Sequence, residues 1–224
     1  VVLALETAAR HGAPQTLGEK MNAKRCLVVV TIAIAFVFAV RAQAQDVNPA
    51  DKEKAMKYLE STRKNIEEAI KGLSDAQWNF KAAPDRWSIA QCVEHIAATE
   101  DKLQGFVIEQ VMKAPAAPDR DVVKIDAMVM TMIPDRSQKR QAPEELKPTN
   151  RFGGPDASLK HFEESRAKTE DLLKSTPDLR GHALDSPMGV KLDAYEWILF
   201  IGGHSERHTK QILEVKADPN FPKM

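Results

Sequence analysis

From residue 49 onward apolar side chains recur every three or four positions, and the breaks fall where proline, glycine and polar residues cluster. Met56, Leu59, Ile66, Ala69 and Ile70 predict an amphipathic helix from Pro49 to about Lys71, with Pro49 suited to its first turn. The stretch from Gly72 to Trp87 is too polar and proline-marked to continue it, and reads as a connection whose Trp78, Phe80 and Trp87 staple it to the rest. A second helix opens at Ser88, where Gln91 three residues later makes a capping-box pair. Its stripe of Ile89, Cys92, Val93, Ile96, Leu103, Phe106 and Val107 runs to about Lys113, and a proline-rich stretch to Pro118 ends it. Between Asp119 and Asp156 the periodicity weakens. Val122 to Ile133 reads as a short methionine-rich helix, and Pro134 to Pro155 offers little to bury. This excursion suits a long crossover over one end of the structure, with a substrate lid or a partner-docking surface as alternatives. Leu159, Phe162, Leu172 and Leu173 mark a third helix from about Asp156 to Ser175, followed by a loop from Asp178 to Gly189. Trp197, Ile198, Phe200, Ile201, Ile212 and Leu213 mark a fourth from about Leu192 to Val215. No strand pattern of useful length, internal repeat or glycine-rich phosphate loop accompanies them. The expected fold is all-α, a four-helix bundle with a long crossover between the second and third helices.

The segment before residue 45 has a different character. Starting at Met21, Lys24 and Arg25 precede a 14-residue apolar run from Leu27 to Val40, and Ala42-Gln43-Ala44 then supplies a small-x-small cleavage pattern. That layout is a secretory signal peptide, since a membrane-crossing helix needs roughly 20 residues. An uncleaved anchor is the alternative. Accordingly residues 1–20 are read as an extension upstream of the true start, 21–44 as the signal peptide and 45–224 as the folded domain, which places the protein in the periplasm or outside the cell. Removing residues 1–44 takes away five basic and two acidic side chains, so 27 basic and 30 acidic residues remain and the charge is −3. With aromatics at only 6% as well, nucleic acid is excluded as a partner. Cys92 is then the sole cysteine, and no intramolecular disulfide can form.

His204 and His208 stand four apart, so their imidazoles leave one helix face about a turn apart, a spacing that can grip one ion. Ile201, His204, His208 and Ile212 share a stripe, which aims both rings at the core, and Gly202 and Gly203 beside them allow another helix to approach closely. His95 is placed alike on the second helix, among Cys92, Ile96 and Thr99. A buried imidazole needs partners for both nitrogens. Three such rings on two helices match a three-ligand metal set that leaves a position open for water or substrate. The competing reading is three histidines satisfied by ordinary hydrogen bonds. His161 and His182 have no such pairing and read as surface residues, His11 lies in the excluded region, and Cys92 reads as a buried structural cysteine with a fourth soft ligand as the alternative. Glu94, Glu100 and Glu206 read as solvated helix-face residues, and no catalytic residue is named.

Two segments carry a resemblance to a known family: Trp87-Ser88-Ile89-Ala90-Gln91-Cys92-Val93-Glu94-His95-Ile96, and Gly203-His204-Ser205-Glu206-Arg207-His208-Thr209-Lys210-Gln211-Ile212. The chain resembles the DinB family of four-helix bundles, which includes bacillithiol- and mycothiol-dependent proteins, from Asp51 to about Val215. The resemblance implies a divalent metal, zinc or nickel, on His95, His204 and His208. It also implies a metal-dependent hydrolase or thiol S-transferase acting on a small molecule. The alternative is a non-catalytic periplasmic binding or stress-related module that keeps the metal for stability. No membrane association is expected once the signal peptide is removed, and a homodimer is in keeping with the architecture.

Overall fold

The structure is a computed structural model that describes residues 46–223; the signal peptide read into 21–44 and the extension read into 1–20 lie outside them. The elements are α1 (Pro49–Ile70), α2 (Asp75–Asn79), α3 (Ile89–Glu109), α4 (Val122–Met132), α5 (Pro155–Ser175), β1 (Ala183–Asp185), β2 (Lys191–Asp193) and α6 (Ala194–Lys216). Three of the four long helices open on a side-chain cap. Asn48 accepts the Asp51 amide at the head of α1, and Ser88 with Gln91 forms the expected capping box of α3. Asp193 with Glu196 makes another at α6, satisfying amides that a helix start would leave bare.

Two segments expected to be irregular contain short elements. Within the connection from Gly72 to Trp87, Ser74 and Gln77 cap each other around the single turn-and-a-half of α2. Trp78 is buried there, as the stapling role required. Within the loop from Asp178 to Gly189, β1 pairs antiparallel with β2 in a three-residue ladder. A strand this short shows too few alternations to stand out in a sequence.

Two apolar clusters reveal the helix directions. One gathers Ala55, Leu59, Val107, Leu173 and Ile198; the other gathers Ile66, Ile70, Ile89, Val93, Phe162 and Ile212. Along α1 and α6 the first cluster comes before the second, whereas along α3 and α5 the order is reversed. Therefore α1 and α6 run one way, α3 and α5 the other, and the order up, down, down, up obliges the segment after α3 to travel back the full length of the bundle. It does so along α6: α4 packs on that helix, burying Val129 and Ile133. The remaining packing puts α3 against α5 and α6, and α1 against α6 and α5. No described helix is long and apolar enough to cross a membrane.

Between the two apolar clusters lies a polar layer. Arg166 is wholly buried, and its five N–H groups are all used. Nε and Nη2 donate to the two oxygens of Glu100 (2.7 and 2.9 Å), Nη1 to the Leu59 carbonyl (2.6 Å) and Thr62 Oγ1 (2.9 Å), and Nη2 also to Ser205 Oγ (2.9 Å). All four long helices meet at this one group. Glu100, expected to be solvated, is thus a buried ion-pair partner, because α5 brings an arginine to its face. Replacing Glu100 with alanine leaves the guanidinium uncompensated, and urea denaturation is expected to show a loss of about 3–5 kcal/mol.

Candidate metal centre

The bundle brings His95 of α3 together with His204 and His208 of α6, and one ring nitrogen from each lies within 4.8 Å of the others. His95 and His208 are buried, and His204 is partly exposed. Ring centroids are 4.4 to 4.9 Å apart, and His95 Nε2 stands 3.1 Å from His204 Nε2. The glycines beside the site act as expected. A methyl group on Gly202 would come within 2.9 Å of the Tyr58 ring of α1, and one on Gly203 within 3.1 Å of Ile133, so both neighbours reach α6 only because these positions lack a side chain.

Hydrogen bonds set the direction of the lone pairs. Nδ1 of His95 donates to the Leu146 carbonyl (2.8 Å), which leaves its Nε2 as a bare acceptor pointing at His204. On His208, Nδ1 lies 2.9 Å from Gln211 Oε1, an atom that can only accept, so Nδ1 carries the proton and Nε2 is again free. Burial holds all three imidazoles below their ordinary pKa, His204 and His208 well below it, and their mutual proximity adds to the effect for those two. Neutral imidazoles with converging unprotonated nitrogens are the donor set that zinc and nickel take. The residues present therefore fit a divalent ion.

No aspartate, glutamate or cysteine joins this group among the described residues. Cys92 is fully buried and free, and burial pushes its thiol up to about 12, in keeping with a structural cysteine. Glu94 departs from the solvated reading: it is buried, and its carboxylate accepts the backbone amides of Thr149, Asn150 and Arg151 at 2.7 to 3.1 Å. Glu206 accepts from Tyr58 Oη (2.8 Å) and pairs with Lys210 (2.8 Å). His161, hydrogen-bonded to Asp101 and stacked on Phe152, and His182, hydrogen-bonded to the Ala114 carbonyl, are partly covered and stand outside the group.

Sequence reasoning missed several contributors. Trp87, assigned only to stapling a loop, lies over the site with its ring 4.7 Å from His95 and 6.0 Å from His208. Leu146, in a segment thought to have little to bury, is buried and supplies the carbonyl that orients His95. A backbone acceptor leaves no mark in a sequence. Gln211 was within reach, since it lies three residues after His208 on the same helix.

The family model described as the DinB superfamily matches residues 58–212. The uncharacterized protein YuaE of Bacillus subtilis (strain 168) is 29% identical over 151 residues, spanning 66% of this chain and 88% of that protein. Among solved structures, YfiT from Bacillus subtilis, described as a probable metal-dependent hydrolase with an unusual four-helix bundle topology, superposes with a TM-score of 0.48 at 16% identity, over 77% of this chain and 89% of that one.

The depressed imidazoles carry a pH signature. In the metal-free protein the unfolded chain takes up protons on these residues near pH 6.5 while the folded chain resists them, so acidification favours unfolding. Stability measured by urea denaturation is expected to be flat above about pH 7 and to fall as pH drops through 6. A variant with His95, His204 and His208 all changed to glutamine should lose that part of the slope.

Proposed function

The chain belongs to the DinB superfamily, and from that premise we propose that His95, His204 and His208 bind one divalent metal ion, zinc or nickel, at the centre of a metal-dependent enzyme acting on a small molecule. One observation carries the reading: three buried or half-buried imidazoles from two helices converge, those of His95 and His208 each with Nε2 left unprotonated, and no fourth protein ligand joins them among the described residues. A structural metal is usually enclosed by four protein ligands, whereas three leave a place for a reacting group. The buried, protonated Cys92 thiol stands outside this set, which favours the catalytic reading over the structural one.

When bound, such an ion supplies Lewis acidity that makes water or a thiol a nucleophile near neutral pH. The chain's own residues prepare the place. Leu146 and Gln211 hold the rings of His95 and His208 so that the same nitrogen of each faces the centre. Trp87 covers one side of the cluster with an apolar ring and restricts water there. Glu94, Glu100 and Glu206 are each engaged by other partners, so none is assigned as a general base. Hydrolysis of an ester or amide and transfer to a thiol are the two reactions this arrangement supports. Export through residues 21–44 belongs to the same proposal, and N-terminal sequencing of protein recovered from the periplasm should begin at Gln45.

Elemental analysis of purified protein after zinc or nickel loading should give about one ion per chain, with His204→Ala losing it at little cost in melting temperature. The same variant should abolish turnover in a panel of esters, amides and electrophile–thiol pairs. Metal bound without any turnover across the panel would return the site to a structural role. Nickel titration should also quench tryptophan fluorescence, and Trp87→Phe should remove most of that response while Trp78 and Trp197 still emit.

A further inference from the structure

His208 reaches a second group through Gln211. Its Nδ1 lies 2.9 Å from Gln211 Oε1, and the same oxygen accepts from Arg136 Nη1 at 3.2 Å. Arg136 belongs to the segment following α4, and its Nε and Nη2 are gripped by both oxygens of Glu214 at 2.7 Å. An amide side chain can present either its oxygen or its NH2 group, and the two choices have opposite consequences for an imidazole beside it. The guanidinium can only donate, so only the amide oxygen satisfies it, and that oxygen in turn requires a proton on His208 Nδ1. If the amide turned over, its NH2 would face the guanidinium donor to donor. The imidazole would then be driven to accept at Nδ1 and carry its proton on Nε2, the nitrogen that Gln211 leaves free.

We propose that Arg136 and Gln211 are positioning residues for the metal centre: the Glu214-anchored guanidinium fixes the amide with its oxygen toward His208, and that oxygen fixes the proton of His208 on Nδ1, leaving Nε2 to ligate. The chain thereby selects which nitrogen of His208 is a ligand from a point on the crossover, 72 residues earlier in sequence than the histidine it governs. The partner of His95 is of another kind, since the Leu146 carbonyl has no second orientation to exclude. Partners of metal-bound histidines commonly alter metal affinity by about 10–100-fold.

This inference rests on the metal-binding reading for its affinity arm only, because the tautomer is measurable without metal. Long-range 1H–15N correlation spectra of the metal-free protein should show His208 with its proton on Nδ1. In Arg136→Ala the proton should move toward Nε2, and zinc affinity, read by competition with a chromophoric chelator, should fall about 10–100-fold. Adding Gln211→Glu to that variant should restore both, because a carboxylate has no donor face and needs no arginine to orient it. If the double variant stays as weak as Arg136→Ala, Arg136 acts by anchoring the crossover and the inference is overturned. It is equally overturned if Arg136→Ala leaves tautomer and affinity unchanged. Should Arg136→Ala fail to fold, Gln211→Met tests the same relay from its other end: loss of the Nδ1 preference supports it, and a retained preference overturns it. A wild-type protein that binds no zinc yet shows the Arg136-dependent tautomer would refute the metal reading and leave the relay standing.

Discussion

A charged side chain cut off from water holds the bundle in register. The interior accommodates the Arg166 guanidinium because every one of its N–H groups finds an acceptor, and those acceptors come from α1, α3 and α6. Sliding any of these helices along its axis would strand a buried charge or a buried acceptor. Apolar side chains tolerate such a slip far better, since an alternative packing of similar residues has nearly the same energy. Ser205, which accepts from Arg166, is the residue after His204, so the layer that fixes the register of α6 also fixes the height at which His204 and His208 meet His95. The position of the three imidazoles is a consequence of this constraint.

The up, down, down, up order supplies the remainder of the site. Because α3 and α5 run in the same direction, the chain between them has to return along the bundle, and it does so over α6. On the way it delivers Ile133 to the gap left by Gly203, Arg136 to Gln211, the Leu146 carbonyl to His95 and the amides of residues 149–151 to Glu94. The ligands stand on the helices, while the Leu146 carbonyl that orients His95 and the Arg136 that contacts Gln211 stand on the crossover. A topology with short connections would have no segment in this place, and the histidines would have to find those partners in water or on the helices themselves. Much of the connecting chain is therefore committed to the site, which accounts for its buried residues in a stretch of prolines and charges.

Much of this was legible in the linear chain, and the reason is range. Helix periodicity and capping act over three or four residues, so the bounds of α1 and α5, the start of α3 and the paired cap of Ser88 and Gln91 could be read directly, and α6 to within two residues of its start; the end of α3, expected near Lys113, falls at Glu109, where the chain tightens into a short 3-10 turn. The spacing of His204 and His208 and the inward face of His95 belong to the same local class. By contrast, the meeting of His95 with His204 spans 109 residues and that of His95 with Leu146 spans 51. Three findings depended on a partner arriving from another element: a buried Glu100 against Arg166, a buried Glu94 against a row of amides, and Trp87 over the imidazoles. Spacing within one helix specifies only which side a residue faces. What it faces is decided when the helices pack, because the burial, the hydrogen-bond partner and the tautomer of each histidine are properties of the assembled interior.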